Sequence, residues 1–256
     1  MAKKSAVRRS KTHRKPHLQT LGGQAAENTI LLGLAPQEHK AVSAKMRLVR
    51  LPTHTVLNEM DVPIEFGYFI NSGLASILNV MSDGKSVEVG LCGFEGFIGL
   101  PLIVGFETSP TRTIMQVEGS GFQISARDLK ELLPRCPQLE KSLNRYSQVL
   151  ALQVTQVAAC NRLHEVDERL ARWLLMSEDR VGRPFFTLTQ EFLAHMLGTR
   201  RASVTVAAGI LQKAGLISYQ RGQVTISDRA RLEAAACECY EQLNQHLLSW
   251  RNNHSR

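Results

Sequence analysis

The spacing of apolar residues changes several times along this chain, and each change marks a predicted element boundary. Residues 1–28 have no hydrophobic periodicity and read as a disordered tail. From Ile30 to Leu48 apolar residues recur at helical spacing, with Leu31, Leu34, Val42 and Met46 as the predicted buried positions. Between about Val49 and Ile124 the pattern becomes short β-rich runs separated by Gly, Pro, Asn and Asp. These runs are Tyr68-Phe69-Ile70, Ser76 to Val80, Ser86 to Leu91, Thr113 to Val117, and Phe122 to Ile124. Asp83-Gly84 lies between two of them and signals a hairpin turn. Several short strands at this spacing predict a small antiparallel sandwich or barrel.

A long helix is predicted next. Pro134 and Pro137 punctuate its start, and proline suits the first helical position. From there Leu139, Leu143, Tyr146, Leu150, Gln153, Val157, Cys160 and His164 recur at spacings of three and four, a coiled-coil-like seam. At about 1.5 Å per residue a helix over 137–163 is roughly 40 Å long. That exceeds what a small barrel buries, so the stripe predicts self-pairing; packing within the chain is the alternative. A break near His164 to Asp167 follows, with Asp167 as the predicted N-cap. The next helix carries Leu170, Trp173, Leu174 and Ser177 on one side and stops at Val181-Gly182-Arg183-Pro184.

The most specific pattern lies at residues 188–217. Thr189 is placed to cap a short helix bearing Phe192, Leu193, Met196 and Leu197, with small Ala194 where two crossing helices approach. Gly198 supplies a tight turn, and a second helix runs from about Arg200 to Lys213 with Val204, Ala207, Ala208 and Leu211 as its buried face. This is the two-helix unit that presents its second helix to the major groove of DNA. After Gly215, Leu216 to Tyr219, the turn Gln220-Arg221-Gly222-Gln223, and Val224 to Ile226 read as a β-hairpin wing with Arg221 at its tip.

Charge sharpens this picture. The 256 residues carry a formal net charge of +8, and it is unevenly distributed. Residues 1–17 hold seven Lys or Arg and no acid, and residues 183–231 hold seven against only Glu191 and Asp228. Clustered positive charge is what counterion release from DNA rewards. Hydrophobic residues at 43% and charged residues at 21% describe an ordinary globular chain with room for two cores. No apolar run approaches the roughly 18–20 residues needed to cross a bilayer, and the basic N-terminus lacks a secretory apolar segment. Five scattered cysteines, Cys92, Cys136, Cys160, Cys237 and Cys239, fit a reducing cytoplasm better than a disulfide framework.

In the order of these elements the chain resembles the Crp/Fnr superfamily of regulators over about residues 29–232. The resemblance implies an α+β chain: an N-terminal antiparallel β-roll (a cyclic-nucleotide-binding-like jelly roll), a long dimerisation helix, and a C-terminal winged helix-turn-helix. The implied divisions are a basic tail (1–28), a β-roll sensor (29–135), a dimerisation helix (136–164), a DNA-binding domain (165–235) and a helical extension (236–256). Double-stranded DNA, a second copy of the chain, RNA polymerase and a small-molecule effector are the implied partners. Leu139, Leu143, Tyr146, Leu150 and Val157 are the expected dimer contacts.

The same resemblance implies DNA contacts from Thr189, Arg200, Arg201, Ser203, Thr205 and Arg221. Members of the family present an Arg, then a Glu, then a later Arg to base edges. Arg201 matches the first, while Ala202 and Val206 stand where the other two would be. An altered operator is therefore expected, with Arg201 still suited to guanine.

In cyclic-nucleotide-binding members a Gly-Glu pair and an Arg-Ser/Thr pair hold ribose and phosphate. Here Arg112-Thr113 matches the second pair, but Gly99 is followed by Leu100 and Pro101, which removes the carboxylate. Gly99, Arg112 and Thr113 are the effector-site candidates; a cyclic-nucleotide-responsive regulator is the alternative reading, which the missing carboxylate disfavours. Gly90, Gly93, Gly96 and Gly99 are read as turn glycines of the roll.

Residues 1–91 contain no cysteine, so no iron–sulfur cluster is expected. Cys92 and His54, the residues a haem variant would use, are read as structural. Cys160 is read as a packed free thiol, and Cys237 and Cys239 as residues of one C-terminal helix that do not form a four-ligand metal site; no metal is expected. Two competing readings are a signalling module without DNA binding and a cupin-like metal enzyme. The second is disfavoured because His54 is the lone histidine between Val49 and Ile124.

Overall fold

The computed structural model describes residues 20–21 and 24–252. Most of the basic tail, including all seven basic residues of 1–17, lies outside the described residues. Strands β1 (Thr20–Leu21) and β2 (Gln24–Ala25) pair antiparallel. The predicted helix of residues 30–48 is divided into α1 (Thr29–Leu32), α2 (Pro36–Ser43) and strand β3 (Met46–Leu51). Gly33 caps α1 and Pro36 opens α2, so the helical period does not run through. Leu31, Leu34 and Val42 are buried as expected, whereas Met46 is only partly covered because it begins a strand. Asn28 anchors the start: its amide donates to the Ile70 and Gly96 carbonyls, each at 2.8 Å.

The sheet comprises β3, β4 (Val56–Asn58), β5 (Phe66–Val80), β6 (Ser86–Cys92), β7 (Phe97–Ile98) and β8 (Arg112–Ser125). Its order is β3-β8-β5-β6, with β4 on β8 and β7 on β5, all antiparallel. The short predicted runs on either side of residue 73 fuse into β5, and those on either side of 119 fuse into β8. Register shifts between Ile70 and Ala75 bend β5 instead of ending it. Gly73 adopts φ +86 at the bend, a conformation that side chains with a Cβ rarely adopt. The Asp83-Gly84 turn joins β5 to β6 as predicted, with Val80 opposite Ser86.

Helices α3 (Ala126–Leu132) and α4 (Pro137–Leu163) follow, and α4 has the predicted bounds and Pro137 in its first turn. Its apolar stripe is turned inward. Leu139, Leu143 and Tyr146 are at most 2% exposed and belong to the core shared by the roll and α1. The expectation that these three face a second copy is corrected. Close approach explains why the roll buries so much of α4: a Cβ at Gly90 would lie 2.9 Å from Leu150 Cδ1, and one at Gly96 would collide with Tyr146. Likewise a Cβ at Gly93 would meet the Arg180 stem at 2.9 Å. Of the four predicted turn glycines, Gly93 and Gly96 close a turn through the Gly96 amide and Gly93 carbonyl at 3.0 Å, and Gly99 has a positive φ, +109; Gly90 lies within β6 instead.

Helix α5 (Val166–Val181) starts one break later, with Glu165 as its N-cap in a capping box with Glu168; Asp167 lies inside the helix instead of capping it. The C-terminal module contains β9 (Phe185–Thr187), α6 (Gln190–Met196), α7 (Arg201–Lys213), β10 (Ile217–Gln220) and β11 (Gln223–Ile226). Helices α8 (Arg229–Ala235) and α9 (Cys239–Asn252) complete it. The second core joins this module to the roll through Leu74, Leu78 and Leu91. Trp250 of α9 returns to the first core beside Tyr146, with ring centroids 5.6 Å apart.

Candidate nucleic-acid interface and sensor cavity

The helix-turn-helix forms for the local reasons read from sequence. The Thr189 hydroxyl accepts from the Phe192 amide at 3.1 Å and caps α6. Gly198 turns the chain with φ +56. Val204, Ala207, Ala208 and Leu211 are all buried beneath α7. The wing is a three-stranded sheet of order β10-β11-β9, and Arg221 (φ +50) and Gly222 (φ +78) form its tip.

An open groove of about 450 Å³ lies at the head of α7, lined by Thr189, Gln190, Arg201, Tyr219, Arg221 and Gly222. It gathers three of the expected contacts, Thr189, Arg201 and Arg221, from α6, α7 and the wing. Arg200 is exposed at the N-cap of α7, whereas Ser203 is half-buried. Thr205 is exposed, but its hydroxyl donates to Gln190 Oε1 at 2.7 Å and lies 3.1 Å from the Arg201 carbonyl. Gln190 and Tyr219 were not foreseen. The Tyr219 hydroxyl donates to the Leu188 carbonyl at 2.8 Å, which seats the ring against the groove. Val206 and Ile210 are 64% and 48% exposed on the outer face of α7. Apolar residues so exposed on this face suit the methyl group of thymine.

The roll encloses a second site. A cavity of about 470 Å³ opens between β5–β7, the segment after Gly99, and α4. Its lining includes Ile77, Leu100 and Leu150; Asn58, Asn79, Ser109, Thr111, Thr113 and Ser147 are its polar members, and no charged residue lines it. Gly99 and Thr113 line it; Arg112 does not. Arg112 instead pairs with Glu59 at 3.2 Å, so the expected grouping of Gly99, Arg112 and Thr113 is corrected. Strand alternation explains this, since adjacent residues of β8 point to opposite faces. The Asn58 Oδ1 atom is buried without a hydrogen-bond partner. Cys92 is buried, and burial pushes its thiol well above the ordinary range.

Between these sites lies a buried polar network. Trp173 Nε1 of α5 donates to Glu88 Oε1 at 2.9 Å, and Ser76 donates to Glu88 Oε2 at 2.6 Å. Burial pushes the Glu88 carboxyl up to about 7, against the opposing pull of the Ser76 and Trp173 hydrogen bonds and of the Arg172 and Arg180 charges.

Such a fold and groove define a winged-helix transcriptional regulator carrying a β-roll module. Residues 168–235 match the Crp-like helix-turn-helix domain family. The chain is 27% identical over 217 residues to a CRP-like cAMP-activated global transcriptional regulator of Mycobacterium tuberculosis, covering 81% of this chain and 96% of that protein. It shares its fold with FixK2 of Bradyrhizobium japonicum (TM-score 0.64, 16% identity, 75% of this chain and 98% of that one). It likewise resembles the c-di-GMP-responsive global regulator CLP of Xanthomonas campestris (TM-score 0.63, 20% identity, 75% of this chain and 99% of that one). The chain is thus similar to CRP-like transcriptional regulators over most of its length, and its residues 168–235 match a Crp-like helix-turn-helix domain. Among the described residues no helix is long and apolar enough to cross a membrane.

Proposed function

We propose that this regulator acts without catalysis as a homodimer, and that an uncharged, largely apolar effector occupies the cavity beneath α4. The convergence of Arg201, Arg221 and Thr189 on one groove carries the DNA-contact part of the reading. Arg201 reads guanine through O6 and N7, and Val206 and Ile210 meet thymine methyl groups. Arg221, Thr189 and Arg200 hold phosphates, which set register without reading sequence. Ser203 and Thr205 support the helix start more than they read bases, since one is half-buried and the other is already engaged by Gln190.

The lack of any cationic side chain in the cavity lining argues against a cyclic nucleotide, whose phosphate is best held by a cation. The unpartnered Asn58 acceptor favours a ligand with one hydrogen-bond donor on an apolar body. For the dimer, the outer face of α4 supplies Leu152, Thr155, Ala159 and Leu163, all exposed at spacings of three and four. A cytoplasmic site of action and contact with RNA polymerase follow from the same reading.

Selection of bound duplexes from random DNA tests it. We expect a two-fold symmetric site with a guanine in each half, at a spacing near one helical turn. Absence of both enrichment and salt-dependent duplex binding would sink the proposal and favour a protein-binding module.

A further inference from the structure

The fold brings together four metal-ligating side chains that the sequence keeps far apart. Cys160 and His164 occupy the last turn and C-cap of α4, one helical turn from each other. Cys237 and Cys239 lie beyond α8. They do not share a helix, because α8 ends at Ala235, its C-cap Ala236 is extended (ψ 153), and α9 begins at Cys239. The chain then turns into α9, with the Tyr240 amide donating to the Cys237 carbonyl at 3.0 Å, and this turn places both thiols at the end of α4. The four ligand atoms all lie within 4.8 Å of one another.

We propose that Cys160, His164, Cys237 and Cys239 bind a structural zinc ion. The geometry fits a tetrahedron: zinc–sulfur bonds of about 2.3 Å and zinc–nitrogen bonds of about 2.0–2.1 Å give edges near 3.5–3.8 Å. Cys160 Sγ and Cys237 Sγ are 3.5 Å apart, and so are Cys239 Sγ and His164 Nδ1. His164 offers Nδ1 to the site while its Nε2 lies 3.2 Å from Glu238 Oε2. A carboxylate on the far nitrogen fixes the tautomer and orientation of a ligating histidine. The Gln156 amide donates to Cys239 Sγ at 3.1 Å, as a donor to a thiolate should.

Charge points the same way. Arg169 and Arg172 are buried, at 6% and 3% exposure, and both feel the Cys160 sulfur electrostatically. Buried cations need a compensating charge. Three thiolates and a neutral imidazole on a divalent ion carry a net charge of −1. Binding displaces three thiol protons to solvent and involves no redox step. Four protein ligands close the coordination shell, so the ion holds structure and activates no water.

Its position gives it a task. Cys160 and Cys237 are 77 residues apart in sequence, and the α4–α5 break lies directly beside His164. The ion therefore ties the end of the long helix to the back of the DNA-binding module, across the joint through which the two parts would move.

The full chain, purified without an affinity tag in the presence of reductant, should carry about one zinc per chain by elemental mass spectrometry. Cobalt(II) exchanged into it should give thiolate charge-transfer and tetrahedral d–d absorption. Cys160→Ser and Cys239→Ser should each lower zinc content at least about tenfold, and His164→Cys, which keeps four ligands, should retain it. Circular dichroism separates loss of metal from loss of fold, and a variant that misfolds is replaced by the cobalt titration of the native chain. The proposal is overturned if the reduced native chain, given excess zinc and then desalted, holds none. It is equally overturned if Cys160→Ser/Cys237→Ser holds as much as the parent, or if a Cys160–Cys237 disulfide forms in a chain that binds no zinc.

Discussion

Arg180 of α5 donates through Nε to Glu95 Oε1 at 2.7 Å, and both side chains are at least 95% buried. The same guanidinium donates to the Met176 carbonyl at 3.0 Å and to Gln153 Oε1 of α4 at 3.3 Å. One side chain thus joins the roll, the long helix and the first helix of the DNA-binding module.

Removing Arg180 alone leaves the Glu95 charge buried and unpaired. Arg180→Met is expected to destabilise the chain by about 3–5 kcal/mol, read as a lower urea midpoint. The double variant Glu95→Leu/Arg180→Met should recover most of that loss, because no lone charge remains. If the double variant is as unstable as the single one, packing of the Arg180 stem and not its charge dominates.

Glu88 makes stability depend on pH. Unfolded, it ionises near its ordinary value of 4.5; folded, it keeps its proton until about pH 7. Between those values the folded state holds the extra proton, so stability falls as pH rises through that window and levels off above it. The contribution is on the order of 3 kcal/mol at most. Glu88→Gln keeps an acceptor for Trp173 and abolishes the titration. The stability difference between parent and variant, from urea unfolding at several pH values, should therefore change across that window and nowhere else.

At the groove, Arg201→Ala is expected to lose about 1–3 kcal/mol of discrimination at one base pair per half-site. Arg221→Ala should weaken all duplexes alike and reduce the salt slope by about one ion. Val206→Ser should relax preference at a neighbouring thymine. Binding-site selection for each variant, with salt titration on one fixed duplex, distinguishes the three outcomes.

On α4 the two faces predict opposite results. Leu152→Asp and Ala159→Glu should yield folded monomers in sedimentation, since both positions are exposed. Leu143→Asp should instead unfold the roll, at about 3 kcal/mol or more for a charge forced into a fully buried site. A folded monomer from Leu143→Asp would reverse this assignment.

Local physics made much of this legible. The Thr189 cap, the Gly198 turn, the four buried residues of α7 and the Arg221 tip all depend on contacts within about thirty residues, and each formed as read. The bounds of α4 were equally local, set by Pro137 and the break at His164. The face α4 presents was not. Its stripe is apolar at the same spacing whether a partner or the chain's own roll covers it, and only the small seats at Gly90 and Gly96 decide in favour of the roll.

What the sequence by itself determined is the order and type of elements, the winged helix-turn-helix and the residues offered at its head. Periodicity and capping suffice for these because both partners of each interaction lie on one element or the next. Tertiary structure decided the rest: which way Arg112 turns on β8, that Arg180 meets Glu95, and that Cys160 and His164 face Cys237 and Cys239. Those pairs are separated by tens of residues, and a stop of one helix at Ala235 reoriented two thiols that spacing alone had assigned to a single helix.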